Sequence, residues 1–133
     1  GLQLLFDSSE EDAPSADEPV PGLGILPGRV VRFRGEAYGA GKLKVPHMGW
    51  NTIHWQRDDP LLAGLEQGVG VYFVHSYYAR PNPKLADTIT LATADYGTQF
   101  CAPVQYENIR ATQLHPEKSQ RVGLTMLKNF AGL

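Results

Sequence analysis

The sequence predicts an α/β fold, a mixed sheet of several short strands closed by one carboxy-terminal helix. Three observations lead there. Residues 70–79, GVYFVHSYYA, are dense in β-branched and aromatic side chains, which is the composition of a strand. Residues 119–130 place Val122, Met126, Leu127 and Phe130 at helical spacing behind Ser119, a predicted N-cap. The chain has 133 residues, 42% hydrophobic and 20% charged, so one domain or a large part of one can bury a core.

Taken in order, residues 1–6 (GLQLLF) read as the first turns of a helix already under way, with Leu2, Leu5 and Phe6 as its apolar face. Residues 7–24, rich in Ser, Glu, Asp, Pro and Gly, read as an exposed acidic loop. A short strand follows at 29–33, RVVRF, and a Gly-rich basic connection at 34–44. Val45 is extended because Pro46 follows it. Residues 60–65 are a short helical candidate, and 89–94, 99–104 and 110–114 are further short strands. One remnant helix, these strands and one long helix do not cover both faces of a sheet, so the chain reads as half of a larger layered structure. A start at Gly1 rather than Met suggests a fragment or processed product.

Composition removes several classes of function. No apolar run is long enough to cross a bilayer, and the first residues have neither a basic n-region nor a cleavage-site pattern. Cys101 is the only cysteine, which rules out an internal disulfide and a cysteine zinc site and fits a reducing, cytoplasmic setting. Residues 1–20 hold six acids and no Lys or Arg, and the remainder carries a net charge of +4 within an overall −2. Those bases are scattered, without the aromatic interleaving of a nucleic-acid surface. Arg29, Arg32, Arg34, Lys42 and Lys44 read as a solvated basic face. His47, His54, His75 and His115 show no zinc-binding spacing, so no metal and no cofactor are expected. His75 reads as support for the strand around it through a buried hydrogen bond.

The richest chemistry lies in ATQLHPEKS, residues 111–119. His115 and Glu117 are two apart, which puts both side chains on one face of an extended segment. Pro116 between them disfavours helix at His115. A carboxylate beside an imidazole fixes its tautomer and stabilises the imidazolium, which is the base half of a nucleophilic triad. Spacing alone also allows a surface turn that happens to hold a His and a Glu. The nucleophile is less evident. Cys101 sits in a strand-like run, TQFCAPV, and reads as a small buried side chain rather than a reactive thiol. Ser76 and Ser119 lack a nucleophile-elbow motif.

Motif resemblance adds what spacing leaves open. LHPEKS resembles the histidine–glutamate motif of the class I, triad-type glutamine amidotransferases, and GLQLLF resembles the segment that follows their nucleophilic cysteine. GRVVRF (28–33), KVPHMGWN (44–51), YFVHSYY (72–78), DYG (95–97) and HPEKS with its following G-x-x-x-L-x-N-F (123–130) are similar to the branch that serves imidazole glycerol phosphate synthase. The PHMGWN run is the branch-specific part.

The resemblance implies the class I amidotransferase fold, a flavodoxin-like layered sheet with helices, truncated at its amino terminus. The nucleophile would then stand two residues ahead of Gly1. It implies catalytic roles for His115 and Glu117, and glutamine-binding roles for Gln3, Ser76 and Tyr77. It implies a tunnel mouth at Tyr72 and Lys118 and partner contacts at Met48 and Trp50, facing a (β/α)₈ cyclase subunit that receives ammonia. For Tyr72 and Trp50, ordinary packing in a strand or core is the competing reading. The competing function is a non-catalytic scaffold or binding module that keeps the fold without the thiol.

Overall fold

The computed structural model describes residues 1–133. A 3₁₀ turn at Leu2–Leu5 leads into β1 (Phe6–Ser9), β2 (Val20–Pro21) and β3 (Leu26–Arg32). Next come β4 (His47–Thr52), β5 (His54–Trp55), a 3₁₀ turn at Pro60–Leu62, β6 (Gly70–His75) and β7 (Tyr77–Pro81). Helix α1 (Ala86–Ile89) precedes β8 (Ala92–Asp95), β9 (Gln99–Cys101), β10 (Pro103–Tyr106) and β11 (Ile109–Thr112). A 3₁₀ turn at Pro116–Lys118 then runs into α2 (Gln120–Ala131).

Strands β2-β1-β3-β7 form one sheet, in which only β1 and β3 are parallel. Strands β4 and β6 pair antiparallel with Trp50 opposite Tyr72, β8 lies between β5 and β9, and β10 pairs with β11. The mixed sheets and closing helix are as the sequence predicts. Two apolar cores result. One gathers Phe33, Ile53, Phe73, Phe100, Leu114 and Met126; the other gathers Phe6, Leu26, Val30, Ile89, Cys101 and Val104.

Several boundaries differ from the sequence reading. The opening segment is one 3₁₀ turn, because Phe6 turns extended and pairs with Leu26. Residues 7–24 are not loop throughout: β1 runs to Ser9, and Val20–Pro21 pairs back onto it. The run 70–79 breaks at Ser76, where the chain leaves its pairing with β4 and takes up pairing with β3. Ile89 ends a helix rather than starting a strand, and residues 99–104 split at Ala102. Residues 60–65 shorten to one 3₁₀ turn, capped at its start by the Asp59 carboxylate, which accepts from Leu61 N–H, and ended at Ala63, whose backbone leaves the helical region (φ −58°, ψ 131°). Helix α2 buries Gly123 and Met126, whereas Leu127 and Phe130 of its predicted apolar face are exposed.

Gly123 is required by close approach: an added Cβ would lie 1.8 Å from the Pro116 carbonyl oxygen. Helix α2 can therefore sit directly beneath the His-Pro-Glu turn only with no side chain there.

Candidate functional site

His115 follows β11 and Leu114, whose buried side chain anchors the segment. Its backbone is fixed from both sides. His115 N–H donates to the Tyr72 carbonyl at 2.9 Å, and the Ser119 hydroxyl donates to the His115 carbonyl at 2.7 Å. The same hydroxyl accepts from Tyr72 N–H at 2.9 Å. Ser119 is 1% exposed. It stands at the N-cap position, yet its oxygen makes no cap hydrogen bond to the helix and instead staples the catalytic-looking turn to β6.

The His115 imidazole meets Glu117 with Nδ1 2.7 Å from Oε1. A carboxylate only accepts, so Nδ1 carries a proton, and in the neutral ring Nε2 is then the lone pair. The hydrogen bond from His115 holds the Glu117 carboxyl below the usual carboxylate range, so Glu117 stays charged beside the ring. The result is an oriented imidazole with one nitrogen ready to take a proton.

Cys101 is in a different setting. It belongs to the second core, is 5% exposed, and its Sγ lies 3.6 Å from the Ala79 carbonyl. Burial pushes its thiol up to about 12. At neutral pH it stays protonated and cannot serve as a nucleophile.

Gln3, Ser76 and Tyr77 converge at the end of β6 away from Tyr72. Gln3 Nε2 donates to the Tyr77 carbonyl at 3.1 Å and to Gln113 Oε1 at 3.2 Å. Phe33 N–H donates to the Ser76 carbonyl at 3.0 Å, holding the break between β6 and β7. Gln113 is two residues before His115, so this cluster and the imidazole share one short segment. Residue type gave no signal for Gln113; only the fold reveals it.

Met48, Trp50, Tyr72 and Lys118 are also brought together. Met48 and Trp50 are 62% and 53% exposed, so neither belongs to a core. The Trp50 and Tyr72 rings meet edge-on at 5.9 Å, and Lys118 Nζ lies 5.8 Å from the Tyr72 ring centre. Exposed aromatic and methionine side chains beside a cation have the composition of an interface centre. No group of three or more His, Cys, Asp or Glu could hold a metal ion, and no helix is long and apolar enough to cross a membrane.

Comparison with known proteins gives a consistent picture. The family model for glutamine amidotransferase class-I matches residues 1–132. The imidazole glycerol phosphate synthase subunit HisH of Syntrophotalea carbinolica is 54% identical over 134 residues, covering 100% of this chain and 61% of that protein. The protein of the same description from Geobacter sulfurreducens is 48% identical, covering 98% of this chain and 59% of its own length. The one from Bacillus subtilis is 45% identical, covering 98% and 57%. The chain thus spans about three-fifths of the length of these curated relatives. Among solved structures, a protein from Thermoplasma acidophilum described as one subunit of a GMP synthase superposes with a TM-score of 0.56. It is 24% identical, covers 79% of this chain and 47% of its own, and bears on the fold alone.

Proposed function

This chain belongs to the class-I glutamine amidotransferase family, and from that premise we propose that it carries the base and substrate-binding half of a glutaminase centre. The protein would be the glutaminase subunit of imidazole glycerol phosphate synthase. It would hydrolyse glutamine to glutamate and ammonia and pass the ammonia to a (β/α)₈ cyclase subunit for histidine biosynthesis. The observation that carries this is the 2.7 Å contact between His115 Nδ1 and Glu117, which leaves Nε2 as an oriented base.

In this reading His115 Nε2 first takes the proton of a cysteine thiol, and the thiolate so formed attacks the glutamine carboxamide carbon. The Nε2–H then gives that proton to the departing ammonia as the C–N bond breaks and a thioester forms. Nε2 then takes a proton from water, whose oxygen attacks the thioester carbon and releases glutamate and the thiolate. Glu117 holds the ring in place and offsets its positive charge. Gln3, Ser76 and Tyr77 hold the amino-acid end of the substrate. Tyr72 and Lys118 border the exit for ammonia, with Met48 and Trp50 against the partner. The lone protonated thiol suits a cytoplasmic setting.

The thiolate is not Cys101, which is buried and protonated, so the 133 residues alone should release no glutamate from glutamine. Such inactivity equally suits a scaffold that keeps the fold without the chemistry. The full open reading frame, expressed with its partner, separates the two. His115→Ala should lower glutaminase kcat by about 10²-fold or more, and Glu117→Gln should lower it by less. A wild-type complex without glutaminase activity would favour the scaffold, and a His115→Ala variant with most of its turnover would remove His115 from the mechanism.

A further inference from the structure

A buried pair of imidazoles lies behind the glutamine cluster, outside the triad. His75 Nδ1 is 2.9 Å from the Tyr77 carbonyl oxygen, and His75 Nε2 is 2.9 Å from His47 Nδ1. The other His47 nitrogen, Nε2, is 3.4 Å from Asn51 Nδ2. Chemistry fixes the direction of every link. A carbonyl only accepts, so the proton on His75 is at Nδ1 and its Nε2 is a lone pair. His47 must then donate from Nδ1, and its Nε2 accepts from Asn51. The Asn51 amide cannot be turned round, because its Oδ1 accepts from Thr52 N–H at 2.8 Å and its Nδ2 also donates to the Asp95 carbonyl at 2.8 Å.

The rings cannot reorient easily. His47 is stacked between Phe73 and Tyr96, with centroids at 4.9 and 4.0 Å, and His75 packs against Phe33 at 5.2 Å. At the inner end, the Tyr77 carbonyl accepts from both His75 and Gln3. Both protons of Gln3 Nε2 are thereby committed, to Tyr77 and Gln113, so the Gln3 carboxamide offers its oxygen to whatever docks there.

We propose that Asn51, His47 and His75 form a one-way hydrogen-bond chain that sets the Tyr77 carbonyl and, through it, the orientation of the Gln3 carboxamide, so that the glutamine pocket is built before substrate arrives. They are positioning residues for substrate binding and move no proton. The inference rests on the reading of Gln3 and Tyr77 as the glutamine site, and one half of its test is independent of that reading.

The test uses the full-length protein in complex with its synthase partner. His47→Phe removes the donor to His75 while filling the space. It should raise KM for glutamine about tenfold with kcat within about threefold, the size expected for one misdirected buried hydrogen bond. In His47→Asn, the Nδ2 atom falls near the position of the imidazole Nδ1 and should restore most of the KM. An unchanged KM in His47→Phe, or a loss that His47→Asn does not repair, would overturn the proposal. Should His47→Phe fail to fold, nitrogen-15 spectra of the histidine-labelled wild type decide. Both His47 and His75 should be Nδ1–H tautomers, and an Nε2–H tautomer at either would end the argument. Gln3→Ala separates the two readings: an unchanged KM there would remove the assignment of Gln3 to glutamine, whereas a raised KM in Gln3→Ala with wild-type KM in His47→Phe would remove the hydrogen-bond chain alone.

Discussion

At the scale of single residues, one hydroxyl does more than its sequence context suggests. Ser119 joins the Tyr72 amide to the His115 carbonyl from a buried position. Ser119→Ala would leave a buried N–H without its partner, at a cost of about 1–3 kcal/mol. If His115 is the base proposed above, the expected kinetic signature is a fall in kcat with little change in KM for glutamine, because the imidazole moves while the far end of β6 does not. Steady-state kinetics on the full-length complex check this. The imidazoles of His47 and His75 give a second residue-level expectation. Burial lowers both to about 4 from 6.5. The unfolded chain therefore takes up protons between pH 6.5 and 4 while the folded chain does not, and stability falls as pH drops through that window. Above pH 6.5 the two states bind equally few protons at these sites and the penalty vanishes. Denaturant melts at about pH 7.5 and about pH 5 should differ by a few kcal/mol, and His47→Asn should reduce that difference.

At the scale of elements, the catalytic-looking turn is held by the helix under it. Gly123 lets α2 pass against the Pro116 carbonyl, where a methyl group would collide. Gly123→Ala should therefore cost about 1–3 kcal/mol by overpacking, and it should lower kcat by displacing His115, which thermal melts and kinetics on the same sample will register together. The sequence made the type of each long element legible, because β-branched density at 70–75 and apolar spacing at 122 and 126 are local signals. The breaks were less visible. Ser76 interrupts a continuous β-rich run because the following residues pair with β3 instead of β4, a long-range choice that no local pattern encodes. Ser119 has the right residue type for an N-cap but is drawn off by Tyr72, a partner 47 positions away. The His115–Glu117 contact was legible because its two members are close in sequence. The relay through His47 was not, since its links join β4 to the end of β6.

At the scale of the whole molecule, β4 has two contrasting faces. Met48 and Trp50 point outward and are exposed, while His47, on the opposite side of the strand, is buried. The outward side adjoins Tyr72 and Lys118. If the cyclase docks here, Trp50→Ala should weaken association by about 2 kcal/mol, some thirtyfold, with unchanged thermal stability of the free protein. Titration calorimetry against the purified partner measures it, and wild-type affinity would move the interface elsewhere. The chain spans about three-fifths of its relatives' length, and Leu124, Leu127 and Phe130 of α2 stand exposed.

The shielded sulfur of Cys101 has one more use. Alkylating reagents attack thiolates in contact with solvent, and this one is neither ionised nor accessible until the core opens. Its rate of modification at neutral pH is thus a built-in clock for breathing of the second core, readable by mass spectrometry without adding a label.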